Sequence, residues 1–265
     1  MKNRLSIYVS SPDSYADVFS VFYKSYLRYW SNSPYEFILT TNTKSYAGIK
    51  CICNNKLGDT WVERTIAALP QIKTKYVLLI CDDLIISDFI DNNKIEYILN
   101  YMDSNDIRYC RVKPLKHGKK ISGQPMVNYV KKNTPYAINL QIGIFRVDML
   151  IELLGNGELS AWDIENLLNQ KASTAKNEFF TDIISLDSPL VPYIHGVYKG
   201  SWMHAAAKYI RKEYPDYQFE RPLVSRQTEF KVKLIDLFSP MFSSKKRFYL
   251  KKIFKIIGVS FATET

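Results

Sequence analysis

The fold is decided at Tyr76-Val-Leu-Leu-Ile-Cys-Asp-Asp83, where a short, wholly apolar run ends in two adjacent carboxylates. An uninterrupted apolar run of this length is typical of a strand that is buried on both faces in the middle of an α/β sheet. Ligands of open α/β sheets bind at the carboxyl ends of such strands. Asp82 and Asp83 are therefore candidate site residues. The alternative is that they only form the turn after the strand, as Asp often does.

The neighbouring charges of Asp82 and Asp83 repel each other, which costs free energy unless a cation or hydrogen-bond donors oppose them. Mg²⁺ usually takes one or two protein carboxylates together with phosphate oxygens. The pair therefore predicts a site for a divalent cation that bridges the protein to a diphosphate.

Segments on both sides of this central strand alternate between strand and helix periodicity. The patterns predict strands over 5–10, 35–41, 49–53, 107–112 and 136–145, and helices over 16–30, 61–72, 93–102 and 147–154. This order predicts an α/β fold, a mostly parallel sheet flanked by helices on both faces. The polar stretch 114–134 interrupts the pattern and predicts a substrate-facing loop.

The composition favours a folded chain, because 46% of the 265 residues are hydrophobic and can bury a substantial core. The cysteines, Cys51, Cys53, Cys81 and Cys110, lack zinc-site spacing and are typical of free thiols in a reducing cytoplasm. The N-terminal apolar run is too short for a signal peptide, and no apolar segment approaches the roughly 18 residues that span a bilayer. We therefore expect a cytoplasmic protein.

Several well-known motifs are absent from the sequence, namely GxGxxG, GxxxxGK[ST], GxSxG and HExxH. Without them the chain lacks the usual phosphate-binding turns, the serine nucleophile elbow and a common zinc site. What remains is carboxylate chemistry.

The stretch Ser160-Ala-Trp-Asp-Ile-Glu165 predicts the start of a helix with Ser160 as its cap. Asp163 is a candidate general base, and the neighbouring Trp162 would partly desolvate its carboxylate and offer a platform to a sugar ring. The alternative is that Asp163 and Glu165 only complement the positive end of the helix dipole.

Three stretches, taken in order, resemble bacterial GT-A-fold glycosyltransferases of polysaccharide, capsule and O-antigen gene clusters. They are Trp61-Val-Glu-Arg-Thr-Ile-Ala-Ala-Leu69, Lys75-Tyr-Val-Leu-Leu-Ile-Cys-Asp-Asp-Leu84 and Ser160-Ala-Trp-Asp-Ile-Glu165. The resemblance covers residues 5–205 and implies a Rossmann-like sheet and a sugar-nucleotide-dependent hexosyltransferase. The implied donor is a nucleoside-diphosphate sugar, with a UDP-sugar favoured, and the implied acceptor is an oligosaccharide or a lipid-linked saccharide.

The resemblance also implies roles for single residues on the donor side. Asp82 and Asp83 would hold Mg²⁺ or Mn²⁺ in a DxD-like site, but the strict DxD spacing is missing, so strict metal dependence stays open. Asp13 would lie near the nucleobase, or only form the turn after the first strand, and Ser11 would contact the nucleotide-sugar. Arg64 would approach the diphosphate, or lie on a solvated helix face.

On the acceptor side, the resemblance implies that Asp163 is the base of an inverting transfer. Glu165 would be the second choice for the base, or a hydrogen-bond partner of the acceptor, and Trp162 would contact the acceptor. His195 would be a further metal ligand and Lys199 a phosphate contact. For these two the alternatives are a structural histidine and a solvated lysine.

The C-terminal part of the chain is strongly basic, since most of the excess behind the net charge of +10 follows residue 199. We expect a GT-A-like catalytic domain over 1–205 and a basic helical tail over 206–265. The stretch 242–257 predicts an amphipathic helix that lies on the inner face of the cell membrane. The alternative is that this helix packs on the domain or on a second copy in a homodimer.

Other functions stay open at this point, namely nucleotidyl transfer, a catalytically inactive GT-A-like scaffold, and a basic protein that binds lipid or nucleic acid. The sequence has no nucleic-acid recognition motif, and its basic residues concentrate in the tail. We therefore expect no nucleic-acid partner.

Overall fold

The computed structural model of the chain describes residues 4–56, 59–115 and 118–231. The helices are α1 (Ala16–Trp30), α2 (Trp61–Ala68), α3 (Asn92–Ser104), α4 (Val147–Leu154), α5 (Ala161–Thr174) and α6 (His204–Glu213). The strands are β1 (Leu5–Ser10), β2 (Glu36–Thr41), β3 (Lys50–Cys53), β4 (Tyr76–Cys81), β5 (Leu84–Ile86), β6 (Tyr109–Arg111), β7 (Lys119–Lys120), β8 (Val127–Lys131), β9 (Ile142–Arg146), β10 (Phe179–Leu186), β11 (Tyr193–His195), β12 (Val197–Tyr198) and β13 (Ser201–Trp202). None of the described helices is long and apolar enough to cross a membrane.

The main sheet has nine strands in the order β3-β2-β1-β4-β9-β6-β10-β8-β7. Strands β3, β2, β1 and β4 are parallel to one another, and β9 runs antiparallel to both of its neighbours. Strands β6 and β10 are again parallel to β4, whereas β8 is reversed and β7 pairs antiparallel with β8. Only β8 and β9 therefore oppose the common direction, and the predicted mostly parallel sheet flanked by helices is confirmed.

The central strand β4 is buried on both faces, which explains its uninterrupted apolar sequence. Leu78 and Ile80 face one core, which contains residues of α1 and α3. Val77 and Leu79 face the other core, which contains residues of α2, α4 and α5. Since side chains alternate along a strand, a strand between two helix layers needs an apolar residue at every position.

The prediction of a continuous loop over 114–134 was wrong, because β7 and β8 lie within this range. The sequence pattern did not predict β8, because the polar residue Asn128 occupies one of its buried positions. The Asn128 side chain donates to Asp187. Strand β10 was not predicted at all.

The strand predicted over 136–145 begins only at Ile142. Tyr136 has a φ of 55°, which is incompatible with an extended strand. The backbone N–H groups that follow bond to side chains rather than to a neighbouring strand: Asn139 donates to the Tyr109 hydroxyl and Leu140 to Glu165. These side-chain acceptors hold residues 136–141 in an irregular conformation.

The chain forms two compact units, Met1–Tyr193 and Ile194–Thr265. The first contains the main sheet. In the second, β12 and β13 form a hairpin, and Trp202 is fully buried against Tyr217 and Phe219. The boundary expected from the sequence lay near residue 205, and the predicted helix over 242–257 lies outside the described residues.

Candidate functional site

The ends of β1, β2 and β4 meet at one edge of the sheet, called here the carboxyl edge. Ser10, the last residue of β1, pairs with Thr40 of β2 and with Cys81 of β4. The residues that follow these strands therefore lie side by side. Among them are Ser11 and the acidic pair, Asp82 and Asp83.

Asp82 is buried, with 6% of its surface exposed, and Asp83 is half-buried. Burial, followed by the charge of Asp83, raises the pKa of Asp82 to about 7, and the nearby Ser11 hydroxyl and Arg64 guanidinium offset part of the rise. Burial also raises the pKa of Asp83 to about 6. The pair thus resists double ionisation at neutral pH unless a cation compensates it.

Two buried polar atoms at this point, Asp82 Oδ2 and Ser11 Oγ, form no hydrogen bond of normal geometry with any described residue, although the Ser11 hydroxyl lies close enough to the Asp82 carboxyl to lower its pKa. Buried polar groups are normally hydrogen-bonded, and an exception needs an explanation such as a ligand or an ion. The unsatisfied atoms are next to the acidic pair, where the sequence predicted a ligand.

Arg64 reaches the same edge from the first turns of α2. The Thr60 hydroxyl accepts from the Glu63 N–H, and the Glu63 carboxylate accepts from the Thr60 N–H. This complete capping box fixes where α2 begins. Arg64 Nη1 donates to the Asp59 carboxylate and to the Asp59 carbonyl, both at 2.8 Å, and Nε donates to Ser10 Oγ at 3.2 Å. Its second amino group, Nη2, makes no hydrogen bond within the part of the chain that the structure describes.

Asp59 is the anchor of Arg64 and was not predicted as a site residue. Its side chain is fully buried in the ion pair with Arg64, and it also accepts from Asn42 and Asn54. In the sequence Asp59 follows the turn residues 54–58 and looks like one more turn former. Only the Thr60–Glu63 capping-box spacing, which places α2 immediately after it, offered a signal.

Asp13 is engaged by backbone donors. Its carboxylate accepts from the N–H groups of Asn42, Thr43 and Lys44 at 3.2 Å and from the Thr43 hydroxyl at 2.5 Å. These bonds outweigh partial burial and lower the pKa of Asp13. Asp13 therefore ties the turn after β1 to the segment after β2.

Helix α5 presents its two acidic residues in different directions. Ser160 caps the helix, and Asp163 completes a capping box by accepting from the Ser160 N–H at 3.2 Å and from its hydroxyl at 2.6 Å. Asp163 is exposed, whereas Glu165 is buried and accepts from the Leu140 N–H at 2.8 Å. Residues two apart lie about 200° apart around a helix, so the structure does not bring these carboxylates together.

Glu165 belongs to the same neighbourhood as the acidic pair. Burial, followed by the charges of Asp83, Asp82 and Glu165, raises the pKa of the Cys81 thiol. Burial likewise raises the pKa of Glu165, against the Leu140 N–H and the charge of Arg111. Glu165 accepts from Leu140, and the next carbonyl, of Gln141, accepts from the Cys81 N–H at 2.9 Å, so Glu165 lies near the end of β4.

Trp162 lies next to Asp163 on α5 and is 46% exposed. Its ring is available to a ligand on the outer side of the helix.

His195 and Lys199 lie in the second compact unit, and both are exposed. Lys199 and Gly200 form the two-residue turn between β12 and β13, with φ values of 47° and 78°. Positive φ at both turn residues is typical of a tight hairpin. The observed role of Gly200 is thus to close this turn, and the predicted ligand contacts of His195 and Lys199 stay predictions.

A divalent cation fits the acidic pair by charge and by donor type. Asp82 and Asp83 supply hard oxygen ligands, and Asp82 Oδ2 has no other partner among the described residues. No group of three or more His, Cys, Asp or Glu side chains that would hold a metal by themselves occurs in residues 4–56, 59–115 and 118–231. A cation at the pair would therefore need further oxygens from a ligand or from water.

No protein-family model and no curated protein sequence matches the chain. Among solved structures, TarS 1-349 from S. aureus is 14% identical with a TM-score of 0.46, and the match covers 70% of this chain and 59% of that one. The CMP:2-keto-3-deoxy-manno-octonic acid synthetase complexed with CTP is 13% identical with a TM-score of 0.46, covering 79% and 98%. The glycosyltransferase GlyE of Streptococcus pneumoniae TIGR4 is 13% identical with a TM-score of 0.42, covering 71% and 46%.

The chain thus spans less than two thirds of the length of TarS 1-349 and of GlyE. All three TM-scores are below 0.5. The function is therefore inferred from the geometry of the carboxyl edge.

Proposed function

We propose that the chain is a nucleotide-sugar-dependent glycosyltransferase whose donor diphosphate binds at the carboxyl edge. The observation that carries the proposal is the buried, unsatisfied Asp82 Oδ2 beside Asp83, within the field of the Arg64 guanidinium. Two buried carboxylates with raised pKa values favour a nearby cation, and Arg64 Nη2, which bonds to no residue that the structure describes, can donate to an anion. A metal-bound diphosphate supplies both charges at once.

In the proposed reaction an acceptor hydroxyl attacks the anomeric carbon of the donor sugar. The new carbon–oxygen bond forms as the bond to the diphosphate breaks, and the electron pair of that bond leaves on the diphosphate oxygen. Arg64 would donate from Nη2 to the phosphate oxygens, because Nη1 and Nε are held by Asp59 and Ser10. Such a fixed donor stabilises developing charge without reorganisation.

Asp83, with Asp82 beside it, would hold Mg²⁺ or Mn²⁺. The ion would supply charge stabilisation to the departing diphosphate. Without a bound ion, a negative charge on Asp82 or Asp83 is buried at a cost in free energy. The carboxyls avoid this cost by taking up protons, which is why their pKa values are raised.

The proton of the acceptor hydroxyl would pass to a carboxylate of α5, in an inverting transfer. Asp163 is our proposed base, because it is exposed beside Trp162 and its Oδ1 makes no hydrogen bond with any described residue. Glu165 is buried and already accepts from Leu140, which suits a residue that holds 136–141 in place. Replacing a general base typically lowers the rate by 10²–10⁴-fold.

We further propose a saccharide acceptor, carried by a lipid, in bacterial surface polysaccharide synthesis. The proposal is supported by the cationic and apolar residues of 242–257, which suit the surface of an anionic membrane. The donor sugar is a hexose in this proposal, and UDP is the favoured carrier.

A nucleotide-binding screen tests the proposal. The purified protein is titrated with UDP, GDP, CMP and their sugar conjugates, with and without Mn²⁺, and the melting temperature is recorded. We expect one nucleotide to stabilise the protein, Mn²⁺ to strengthen the effect, and Asp83→Ala to weaken it.

Asp88→Ala is the matched control, since Asp88 is an exposed acid a few residues further along the chain. It should respond to nucleotide like the wild type. An absence of response to every nucleotide in the wild type would overturn the proposal and leave an inactive scaffold or a lipid-binding protein. A transfer assay then compares Asp163→Asn with Glu165→Gln, and loss of turnover only in Glu165→Gln would move the base to Glu165.

A further inference from the structure

Three neighbouring strands of the second half of the sheet carry a row of polar side chains at the carboxyl edge. Arg111 of β6 is the register partner of Ser185 of β10, and Ser185 is the partner of Asn128 of β8. Partnered residues point to the same face of a sheet, so these side chains lie side by side. Two positions further from the edge, the same strands contribute apolar residues to the core that also contains Ile164 of α5, namely Tyr109, Ile183 and Val130. The polar row therefore lies on the face of the sheet that α5 covers.

Two members of the polar row have polar atoms that the protein does not satisfy. The Asn128 side chain donates to Asp187, which also pairs with Lys120 at 3.6 Å. Ser185, in contrast, is fully buried, and its hydroxyl bonds to no described residue. Arg111 Nε is likewise buried without a hydrogen-bond partner in the part of the chain that the structure describes. Buried polar groups are normally hydrogen-bonded, so both atoms need an explanation.

Helix α5 adds a third such donor. Asn169 Oδ1 accepts from the Tyr136 N–H at 2.6 Å, and Arg111 Nη1 donates to the Tyr136 carbonyl. Because both side chains bond to the same residue, the guanidinium of Arg111 and the amide of Asn169 are held close together. Asn169 Nδ2 is buried and has no partner among the described residues. Arg111, Ser185 and Asn169 are called here the Arg111 cluster.

The positive charge of Arg111 is not neutralised by a direct ion pair. Arg111 forms no ion pair with any residue in the described ranges. Glu165, one turn before Asn169 on α5, is close enough for the charge of Arg111 to affect its pKa, but its carboxylate accepts from the Leu140 N–H at 2.8 Å. A half-buried guanidinium beside two buried donors without acceptors favours a bound anion.

The Arg111 cluster is distinct from the acidic pair. Strand β9 alone separates β6 from β4, so the strand that ends at Arg111 and the strand that precedes Asp82 are two spacings, or roughly 10 Å, apart. One phosphate group cannot contact both places. The cluster includes a residue of α5, the helix that also carries Trp162 and Asp163 on the proposed acceptor side.

We propose that the Arg111 cluster binds a negatively charged group of the acceptor, a carboxylate or a phosphate attached to its saccharide. The inference rests on the proposed function, which makes the molecule beside α5 the acceptor. A planar guanidinium matches the oxygens of either anion, and Ser185 and Asn169 add neutral donors from the neighbouring strand and from the helix. The acceptor is therefore an acidic saccharide and not a neutral one.

Three sugars that differ in charge test the Arg111 cluster: glucose, glucuronate and glucose 6-phosphate. Each is titrated into the purified protein without nucleotide and without metal, and binding is followed by NMR. We expect at least one of the charged sugars to bind about tenfold more tightly than glucose, because hydrogen bonds to a charged group are strong. The tighter of the two charged sugars shows whether the group is a carboxylate or a phosphate.

Arg111→Met should remove this preference for charged sugars, because it removes both the charge and the Nε donor. Ser185→Ala takes away a single donor and should weaken the preferred sugar about threefold. In both variants UDP should bind in the presence of Mn²⁺ within about twofold of the wild type, since distant sites act independently. Arg146→Met is the matched control, because Arg146 ends β9 at the opposite edge of the sheet, and it should change neither affinity.

The outcomes distinguish this inference from the proposed function. If glucose binds as tightly as both charged sugars, or if Arg111→Met keeps the preference, the inference is overturned, and nucleotide binding is unaffected by that result. If Arg111→Met weakens UDP-glucuronate but not UDP-glucose, the charged group belongs to the donor, and the assignment to the acceptor is wrong. If charged sugars bind through Arg111 but no nucleotide binds, the proposed function fails, and the anion has no acceptor to belong to.

Discussion

Asp82 makes the stability of the unliganded protein depend on pH in the direction opposite to most carboxyl groups. Its pKa in the folded protein is about 7, against roughly 3.9 in an unfolded chain. A raised folded-state pKa means that the stabilising contribution is fully present below about pH 3.9 and is lost as the pH rises through 7. At pH 8 the buried charge therefore destabilises the fold.

Replacing Asp82 with Asn should remove this penalty. We expect Asp82→Asn to raise the free energy of unfolding at pH 8 by about 1–3 kcal/mol and to change it little at pH 4. Urea denaturation at both pH values checks the difference, with Asp88→Asn as the exposed control. An equal effect at both pH values would show that the Asp82 charge is not the cause.

Mn²⁺ should stabilise the wild type more at pH 8 than at pH 5.5, because a cation binds the ionised carboxylates and competes with protons. The shift in melting temperature at fixed Mn²⁺ concentration measures this. A shift that is independent of pH would argue against Asp82 and Asp83 as ligands.

Arg64 and Asp59 form a buried ion pair whose partners depend on each other. The Arg64 side chain is 4% exposed and the Asp59 side chain is fully buried. Arg64→Met should cost about 3–5 kcal/mol, because it leaves the Asp59 charge buried without its partner. The double variant Arg64→Met/Asp59→Asn should recover part of the loss, and denaturant unfolding of the wild type, both single variants and the double variant gives the coupling.

Whether a residue of the candidate site could be predicted from the sequence depends on whether its role follows from a local pattern or from contacts with other elements. Asp82, Asp83 and Arg64 were predicted because a strand end and a helix start are local patterns. Asp59 was not, since its role arises from contacts with Arg64 and with Asn42, which follows another strand. A sequence pattern does not show which loop residue will pair with a buried side chain.

The stability of helix α5 depends on the capping box at its N-terminus. Ser160 and Asp163 satisfy each other's donors at its first turn. Ser160→Ala should cost about 1 kcal/mol. The loss should appear as a lower melting temperature, whereas Ser173→Ala near the other end of α5 should have almost no effect. A change below 0.3 kcal/mol, on the order of a neutral surface substitution, would contradict the capping role.

Elements with a regular apolar period were predicted well. Strand β1 (Leu5–Ser10) and helices α1 (Ala16–Trp30) and α4 (Val147–Leu154) have the predicted bounds. Strand β10 was missed because its first half is less buried and carries Thr181 and Asp182 among its apolar residues. Its strand character comes from pairing with β6 and β8 on either side, which no local pattern reveals.

At the scale of the whole molecule, an ionic network joins β1 and β4 to α3 at the edge opposite the site. The Asp103 carboxylate forms ion pairs with Arg4 Nη1 at 3.1 Å and with Lys75 Nζ at 2.5 Å. Hydrogen bonds from Lys75, Tyr76 and Arg4 outweigh partial burial and lower the pKa of Asp103. A lowered folded-state pKa contributes stability above the unfolded value of roughly 3.9, and this stability is lost as the pH falls through the folded value.

The protein should therefore lose stability in two pH ranges with different causes. Below about pH 4, Asp103 and Asp13 lose their stabilising ionised forms, and from about pH 4 to 7 the stability falls because Asp82 ionises in the unfolded chain but stays protonated in the folded protein. Melting temperatures from pH 3 to 8 should show a maximum on the acidic side of neutrality. Asp103→Asn should flatten only the acid limb, and a flattened alkaline limb would contradict the assignment.

The chain between β6 and β9 leaves the carboxyl edge and returns to it at a neighbouring point. Arg111 ends β6, Ile142 begins β9, and Cys110 pairs with Ile144 between them. An excursion whose two ends already lie together can change length at little entropic cost, because loop closure grows only slowly with length. Changes of length in the exposed turns of 112–141 should therefore leave the parallel strands β3, β2, β1 and β4 undisturbed, whereas its buried residues, such as Val127, Val130 and Leu140, belong to the core and must be kept.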